Sequence, residues 1–314
     1  MTSSRAARQR FSIGYHLNSW DLTGQPLRPA IKFLADQGFG WFEILAFTSL
    51  SDQYARKYMQ LGNQAPMGVT TDTDILRRYA LLSEGQSNYS IRLSSFYVNA
   101  IFTNPVAWPY ERDVLLALAR LLKGFGSPVL VLGGGPSQAV AGPHTTDDYR
   151  AFCRALEDIG RRTKDLGIET VYHPHLDTFI ERRDQLDRMM DELDTDLAGL
   201  CIDPAHLAHT NSDPVDALKT YISAVRYMHF KDTKVDPVLR GYDRYAAFCE
   251  LGAGVVDLAG LVDVLLDANY DGLAIIELDA SKKTAEQSTL ESIAYVRDTL
   301  GLTLTPKPAE KTAV

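Results

Sequence analysis

The sequence lacks the features of an exported, membrane-spanning or nucleic-acid-binding protein. No apolar run approaches the roughly 20 residues that a helix needs to cross a bilayer, and no apolar core of a secretory signal follows the basic residues 1–10. Lys and Arg never cluster beyond a pair, and the formal net charge is -8. Because a nucleic-acid surface requires a basic face, the composition argues against DNA or RNA as a partner, and no membrane association is expected.

Cysteine is also scarce, with only Cys153, Cys201 and Cys249 in the whole chain. The three lie far apart, form no C-x-x-C pair and are odd in number. This pattern argues against both a disulfide framework and a cysteine-based zinc site. Free thiols suit a reducing compartment, so the sequence predicts a cytoplasmic location.

What the chain does contain is a regular alternation of short apolar segments with longer amphipathic ones. Its 314 residues are 45% apolar and 23% charged, which is ordinary for a globular protein with a sizeable core. Such alternation is typical of parallel βα units. The sequence therefore predicts an α/β fold, a single (β/α)8 TIM barrel. Strands are predicted at residues 11–15, 40–45, 91–98, 128–132, 168–173, 198–203, 226–230 and 272–277.

Helices are predicted between these strands, and several carry recognisable ends. Thr145 and Thr146 precede two aspartates where an N-cap and an acidic first turn belong, and Gly167 follows the last turn of the same helix. The predicted helices cover residues 26–37, 72–84, 110–123, 145–166, 180–193, 214–221, 257–268 and 284–299.

One barrel domain is predicted over residues 11–303, between a flexible N-terminal segment (1–10) and a flexible tail (304–314). Two connections exceed the usual length, residues 46–71 after strand two and residues 231–254 after strand seven. Both are expected at the carboxyl ends of the strands, where barrels of this kind place their active sites.

Four consecutive predicted strands each end in a side chain that can bind a metal ion. His173 closes strand five, Asp203 strand six, His229 strand seven and Glu277 strand eight. Any one of them alone is more simply explained as a helix cap or a partner of backbone groups, but four in succession favour a site. Because strand ends at one height converge on the barrel axis, the sequence predicts a metal centre held by these four residues.

The expected kind of ion follows from the ligand types. Imidazole nitrogens together with carboxylate oxygens suit Mn, Co, Zn, Fe or Ni, and the set contains too much nitrogen for calcium. The expected cofactor is a divalent metal, Mn²⁺ or Co²⁺, with Zn²⁺, Fe²⁺ and Ni²⁺ as alternatives.

Four strings of the sequence resemble the xylose-isomerase-like family of sugar isomerases, epimerases and dehydratases: CIDPAHL, HFKD, ELGAGVVDL and IIELD. That family has Asp-x-x-His after strand six, His-x-Lys-Asp after strand seven, then a Gly-x-Gly segment and a Glu at the end of strand eight. The pattern falls here on Asp203, His206, His229, Lys231, Asp232, Gly252, Gly254 and Glu277. The resemblance covers about residues 11–300 and implies a metal-dependent enzyme for sugars or polyols.

Strand five departs from the commonest form of this family. Most members place a Glu there, followed two residues later by His, whereas this chain reads YHPH, with His173 and His175 in those positions. The string resembles the inosose dehydratase branch, which carries Tyr-His-His-His at this point. Whether His173 or His175 is the metal ligand from strand five stays open.

The resemblance and the chemistry of enolisation together suggest further roles. A general base must stand over the carbon next to a polarised carbonyl, and His175 is the first choice, with Glu43 as the second candidate for the opposite face. Lys231 is expected to bind substrate oxygens and to balance developing negative charge, and His206 is expected to bind substrate oxygens. Aromatic side chains expected to line the sugar site are Trp20, Tyr97 and Trp108, together with Phe47 and Phe248.

These expectations combine into a lyase that acts on a keto-inositol, a 3-oxo-sugar or a 3-oxo-glycoside by enolisation and β-elimination. A metal-dependent ketose/aldose isomerase or 3-epimerase is the alternative within the same chemistry. A non-catalytic sugar-binding barrel and an endonuclease IV-like nuclease are disfavoured, because all four donor positions are filled and no basic run is present. The expected partner is a small sugar or polyol, and both a homo-oligomer and a second small subunit stay open.

Overall fold

The computed structural model describes residues 2–21, 25–47, 72–236, 238–279 and 281–305, and in them eight parallel strands close into a barrel. Each strand pairs with its neighbours in sequence, and the first also pairs with the last, in the register Tyr15 to Ile276. The predicted single (β/α)8 barrel is confirmed. The strands are β1 (Ser12–His16), β2 (Trp41–Phe47), β3 (Arg92–Ala100), β4 (Val129–Gly134), β5 (Glu169–Tyr172), β6 (Gly199–Ile202), β7 (Val225–Phe230) and β8 (Leu273–Ile276).

Helices alternate with these strands, and each helix that the sequence predicts is present. The described helices are α1 (Thr2–Arg8), α2 (Asn18–Asp21), α3 (Leu27–Asp36), α4 (Asp72–Tyr89), α5 (Trp108–Phe125), α6 (Gln138–Ala141), α7 (Thr146–Lys164), α8 (Arg183–Glu192), α9 (Pro204–His209), α10 (Pro214–Tyr221), α11 (Leu258–Asp267) and α12 (Ala285–Ala294). Short 3-10 turns cover Ile222–Ala224 and Gly241–Ala247, and a π turn covers Tyr295–Thr299. In the described residues no helix is long and apolar enough to cross a membrane.

The ends of α7 follow the predicted local chemistry. The hydroxyl of Thr145 accepts a hydrogen bond from the backbone N–H of Asp148 at 3.3 Å, and the Asp148 carboxylate accepts one from the backbone N–H of Thr145 at 2.7 Å. This reciprocal capping box satisfies donors that the first turn leaves free. Beyond the helix, Gly167 has a φ of 75°, a conformation that glycine adopts without strain.

Each barrel strand presents one row of side chains to the interior and the other row to the helices, as alternation along a strand requires. The outward row packs against the helices in a large cluster that includes Tyr15, Tyr172 and Phe230. The interior is filled by a smaller cluster, consisting of Tyr97, Val129, Val131, Val171, Cys201, Tyr227, Leu273 and Ile275. Because this interior is a packed core, the space for a ligand lies at its ends.

The N-terminal residues form a helix where the sequence analysis expected a flexible segment. Arg5 and Arg8 of α1 reach Asp263 and Asp267 at 2.8 and 2.6 Å. Both aspartates lie on α11, more than 250 positions away in the sequence. Because the partners are so distant, no local pattern of residues 1–10 indicates this anchoring.

The long connections and the tail are described in part. The connection after β7 contains a two-residue antiparallel pair, Asp232–Thr233 with Phe248–Cys249. Leu304, at the predicted start of the tail, is buried, and its carbonyl accepts a hydrogen bond from the N–H of Ile13 at 2.8 Å. The fold thus extends at least to this residue. Residues 48–71 and 306–314, on which a predicted long connection and most of the predicted tail fall, lie outside the described residues.

Candidate metal centre

The candidate site lies at the carboxyl ends of β5 to β8 and continues the interior row of the barrel. On each of the four strands, the side chain two residues beyond a core residue of the interior can bind a metal ion. The pairs of core residue and candidate ligand are Val171 and His173, Cys201 and Asp203, Tyr227 and His229, and Ile275 and Glu277.

These four side chains meet within a small buried volume. The Nε2 atom of His173 lies 3.0 Å from Nδ1 of His229, which in turn lies 2.7 Å from Oε2 of Glu277. The Oδ2 atom of Asp203 is 3.5 Å from Nε2 of His173. All four atoms lie within 4.8 Å of one another, and the structure thus brings the four predicted ligands together. It is His173, not His175, that supplies the imidazole from β5 to this set.

Two buried carboxylate oxygens in the cluster are left for a cation. Asp203 uses Oδ1 to accept hydrogen bonds from the N–H groups of Ala205 and His206 at 2.8 and 3.3 Å. Glu277 uses Oε1 to accept one from the side-chain amide of Asn18 at 3.1 Å. The other oxygens, Oδ2 of Asp203 and Oε2 of Glu277, accept no hydrogen bond of good geometry from the described residues. Both point at the cluster, so the residues present fit a metal ion.

The local charge balance points the same way. Three carboxylates, those of Asp203, Glu277 and Asp279, lie within 3.6 Å of the ammonium group of Lys231, and a fourth, that of Glu43, contacts His229. Burial raises the pKa of Glu277 and of Asp203, but Lys231 together with the neighbouring histidine, His229 or His173, outweighs burial and lowers the pKa of both below the ordinary value. Both carboxylates therefore favour the anionic form, which is the form that binds a metal ion.

Glu43 lies behind the cluster, at hydrogen-bond distance from one of its histidines. Its Oε2 atom accepts a hydrogen bond from Nε2 of His229 at 2.8 Å, and both side chains are fully buried. A carboxylate in this position fixes the imidazole so that the opposite nitrogen, Nδ1, faces the other three members of the cluster and would be available to an ion there. The sequence analysis expected Glu43 to be an acid or base on the substrate. The contact with His229 instead commits one of its oxygens to orienting a ligand.

Lys231 is fully buried and is held by carboxylates. Its Nζ atom lies 2.5 Å from Oδ2 of Asp279, 3.3 Å from Oε2 of Glu277 and 3.6 Å from Oδ2 of Asp203. The ring of Phe248 lies beneath it, with 4.3 Å between Nζ and the ring centre. Burial lowers the pKa of Lys231, but Asp279 and Glu277 outweigh burial and raise it above the ordinary value, so the group keeps its charge.

His175 and His206 lie next to each other at the mouth of the barrel, with 3.7 Å between their ring centres. The carbonyl of Leu176 lies 2.8 Å from Nδ1 of His175. Since a carbonyl can only accept, Nδ1 carries the hydrogen and Nε2 keeps its lone pair. In His206, Nδ1 accepts a hydrogen bond from the N–H of Leu176 at 3.4 Å, and Nε2 lies 3.2 Å from Nζ of Lys231. The ring of His175 lies 5.3 Å from that of His173, next to the cluster.

The predicted aromatic wall is only partly at the site. Tyr97 lies there, with its ring centre 5.3 Å from that of His173, and Phe248 packs 5.1 Å from His206. Trp20 does not, because it packs against Tyr15 on the outward side of β1.

Trp108 is also remote from the cluster in its described contacts. It begins α5 and packs on Phe102, which contacts the outward-facing Tyr172. A sequence reveals that an aromatic residue is present, but not which side of the strand layer it occupies. The side chain of Phe47 lies outside the described residues.

Comparison with known proteins now adds to this geometry. Residues 31–299 match the model of a protein family described as "Xylose isomerase-like TIM barrel". The chain belongs to this family. The match confirms the resemblance that the strings at strands six to eight indicate.

Curated relatives of this family member are named as enzymes. An inosose dehydratase of Clostridium perfringens is 27% identical over 271 residues, which cover 78% of this chain and 86% of the relative. An inosose dehydratase of Geobacillus thermodenitrificans is 25% identical over 265 residues, covering 77% and 85%. The prediction of an enzyme of the lyase or isomerase/epimerase class is confirmed.

Solved structures show the same fold. IolI, crystallised with a zinc atom, has a TM-score of 0.69 at 14% identity, with 92% of this chain and 98% of that chain covered. An L-ribulose 3-epimerase has a TM-score of 0.66 at 15% identity, with 92% and 94% covered. At such low identity the similarity concerns the fold, which the family member shares along nearly its whole length.

Three polar residues near the cluster were not assigned a role from the sequence. His16 ends β1, Asn18 follows it, and Asp279 lies two residues beyond Glu277. The amide of Asn18 contacts both carboxylates, at 3.1 Å from Glu277 and 2.6 Å from Asp279. A signal for His16 exists, because it closes an apolar strand in the string GYH, just as the predicted ligands close theirs.

Proposed function

We propose that this protein is a divalent-metal-dependent lyase that acts on a keto-inositol, a 3-oxo-sugar or a 3-oxo-glycoside by enolisation and β-elimination. The observation that carries the proposal is the imidazole of His175, whose Nε2 has its lone pair available beside the four-residue cluster. The curated relatives are named inosose dehydratase, and dehydration is a β-elimination. Their names therefore support the same reaction class.

The ion that we propose is Mn²⁺ or Co²⁺, with Zn²⁺, Fe²⁺ and Ni²⁺ as alternatives. Its ligands are Nε2 of His173, Oδ2 of Asp203, Nδ1 of His229 and Oε2 of Glu277. Two imidazoles and two carboxylates suit each of these metals. When bound, the ion polarises a substrate carbonyl and stabilises the negative charge that develops on its oxygen.

His175 acts as the general base in this proposal. Its Nδ1–H donates to the carbonyl of Leu176, so Nε2 is the atom that takes the proton from the carbon next to the substrate carbonyl. The electron pair of that C–H bond forms the new double bond as the group on the following carbon leaves. The proton then passes to the departing hydroxyl, which leaves as water and returns His175 to its neutral form. In a 3-oxo-glycoside the departing group is the aglycone.

Lys231 and His206 form the polar wall on the side of β6 and β7. We assign to Lys231 the balance of negative charge near the carbonyl oxygen, since its contacts with Asp279 and Glu277 fix the ammonium group in place. We assign to His206 the binding of a substrate hydroxyl. Its Nε2 lies 3.2 Å from Nζ of Lys231 and 3.5 Å from Oδ2 of Asp203, so the imidazole is held within this group of polar side chains.

The test is to incubate Mn²⁺-loaded protein with a panel of keto-inositols and 3-oxo-glucosides in D₂O. The unsaturated or diketone product is followed by absorbance and mass spectrometry, and deuterium at the carbon next to the carbonyl is followed by NMR. Elimination that requires added metal is the expected result. Deuterium exchange without elimination would replace the lyase by an isomerase or 3-epimerase. Neither exchange nor elimination with any member of the panel would contradict the proposal.

A further inference from the structure

His16 is a histidine of the barrel mouth that none of the roles above uses. It is the last residue of β1 and pairs in register with Glu43 of β2. Two residues earlier on the same strand, a Cβ on Gly14 would meet the interior side chain of Ile275, so this row faces the barrel interior. His16 is fully buried, and its ring centre lies 6.0 Å from that of His229.

The tautomer of His16 follows from one backbone hydrogen bond. The N–H of Asn18 lies 3.0 Å from Nδ1 of His16, and an N–H can only donate. Nδ1 is therefore the acceptor, and in the neutral ring the hydrogen resides on Nε2. The Nε2 atom is buried and has no hydrogen-bond partner among the described residues. A buried donor without an acceptor costs free energy, which a ligand oxygen at this position would recover.

The barrel places this donor across the mouth from the proposed base. In the closed order of strands, β1 and β5 are four steps apart in either direction, which is the greatest separation that eight strands allow. His16 ends β1, and His175 follows the end of β5. The two imidazoles thus stand on opposite sides of the four-residue cluster. His175 offers a hydrogen-bond acceptor at Nε2, and His16 offers a donor at Nε2 that has no partner among the described residues.

We propose that His16 binds substrate directly, by donating the hydrogen of Nε2 to a hydroxyl or carbonyl oxygen on the side of the ring opposite His175. This inference rests on the proposed function for the class of ligand, a cyclic polyol or sugar. The sequence analysis expected Glu43 to act on the opposite face of the substrate. We assign that face to His16, because Glu43 is hydrogen-bonded to His229. The ligand must then carry an oxygen at the position that faces β1, and a deoxy analogue at that position binds more weakly.

The direct test is ¹⁵N NMR of the histidine side chains in the zinc-loaded, full-length protein. The probes are myo-inositol and methyl β-D-glucopyranoside, the unreactive reduced counterparts of the two proposed substrate classes. The His16 signals are assigned by their loss in His16→Phe. We expect a protonated Nε2 and an unprotonated Nδ1, with the Nε2–H resonance shifting on addition of at least one probe. A hydrogen on Nδ1, or a resonance that neither probe moves at high millimolar concentration, overturns the proposal.

A binding comparison adds a second readout. His16→Phe keeps the ring and removes the donor, and His144→Phe makes the same change at a buried histidine that stacks on Phe179. We expect His16→Phe to bind the better probe about tenfold or more weakly, a loss typical of one hydrogen bond. His144→Phe should bind like the parent, with equal metal content in all three. Equal affinity in His16→Phe, or loss of its metal, counts against a substrate contact.

The two proposals fail separately. Should His16→Phe not fold, His16→Gln assigns the resonances in its place, and the NMR measurement on the unaltered protein then decides the question. If a probe moves the Nε2–H resonance but no keto compound is converted, His16 binds a polyol and the proposed lyase activity is wrong. If keto compounds are converted and the resonance stays in place, the activity stands and the role of His16 is wrong.

Discussion

The two halves of the barrel mouth differ sharply in the side chains that they carry. In the half formed by β5 to β8, His173, Asp203, His229 and Glu277 lie within one residue of the strand ends, and the connections after these strands add His175, His206 and Lys231. Among the described residues, β1 to β4 contribute the polar side chains of His16, Glu43 and Asn99 to this end of the barrel, and β4 ends in two glycines, Gly133 and Gly134. A Cβ on Gly133 would meet the Tyr97 hydroxyl at 2.2 Å, so this position has no room for a side chain.

The fold provides equivalent positions at the ends of all eight strands, but the sequence places most of its polar side chains at the ends of β5 to β8. One half holds the metal-binding donors. The other half supports them through Glu43 and offers small or aromatic surfaces, such as that of Tyr97, to a ligand. The polar cluster thus lies opposite a less polar wall, an arrangement common in small-molecule sites, where a few placed polar groups accompany apolar and aromatic surfaces. Each substitution below tests one side of this division.

The largest effect is expected from His175→Gln, on the charged side. Glutamine keeps a polar side chain but cannot accept a proton, so kcat should fall by about 10²–10⁴-fold. Metal content should stay unchanged, because His175 is not among the four clustered ligands. Steady-state kinetics and metal analysis of the same preparation make the comparison.

The matched control is His209→Gln, at a histidine whose Nε2 lies 2.7 Å from the Thr233 hydroxyl. It should retain activity close to that of the parent. If His175→Gln stayed active, His175 would not be the general base, and the base would have to lie on the opposite half of the mouth.

The second effect concerns the supporting half. Glu43→Gln removes the carboxylate that orients His229, and substitutions of such partners weaken metal binding by about 10–100-fold. Competition with a chelator measures the change. Glu169→Gln, at an exposed residue that begins β5, is the control and should bind metal like the parent. Unchanged affinity in Glu43→Gln would mean that the β2 strand contributes nothing to the centre.

A smaller effect is expected where the connection after β7 is tied to the connection after β5. Arg244 lies 2.7 Å from both Asp177 and Glu181, and the neighbouring Tyr245 hydroxyl lies 3.3 Å from Nδ1 of His175. Because these ion pairs are partly solvated, Arg244→Ala should cost about 1–2 kcal/mol in free energy of unfolding. KM should rise as well, since the residues over the site lose their anchor.

Urea unfolding and steady-state kinetics test this clamp. Arg244→Lys, which can keep one of the two ion pairs, should lie between the parent and Arg244→Ala in both measurements. A change in stability without any change in KM would show that the clamp is structural only.

The smallest effect is a pH dependence away from the site. His144 stacks on Phe179 at 3.9 Å, and burial lowers its pKa, helped by Arg188 and Arg182 and opposed by Asp148. Its pKa in the folded state is therefore below the unfolded value of about 6.5, so its contribution to stability is present above that pH and is lost as pH falls. His144→Gln should lose less stability than the parent between neutral and mildly acidic pH. Urea titrations of both proteins at several pH values measure this difference. The prediction is wrong if the free energy of unfolding changes with pH to the same extent in both.

The fold and the four clustered donors could be predicted because each depends on local sequence. A strand such as that ending at His173 or Glu277 is a short apolar run closed by a polar residue, and the βα alternation fixes which ends meet. The partners of those donors depend on distant contacts. Glu43 meets His229 across 186 positions, and Arg5 meets Asp263 across 258, so no local pattern contains either pair.

The misplaced aromatic residues have a related cause. Trp20 and Trp108 are apolar residues near strand ends, and sequence alone does not say whether such a residue faces the mouth or the helices. The side is decided by the register of the strand and by the packing of its neighbours. His16 has a local signal, because it closes an apolar strand, but a single histidine at a strand end is more simply explained as a partner of backbone groups.

We propose that one divalent ion is held by His173, Asp203, His229 and Glu277. This proposal is tested most directly by metal analysis of dialysed protein, comparing the parent with His229→Ala, Glu277→Ala and the distant control His144→Ala. We expect close to one equivalent of metal per chain in the parent and the control, after loading with Mn²⁺ or Co²⁺, and little in the two site variants. Absence of metal from the parent under every loading condition, or full retention in both site variants, would contradict the account.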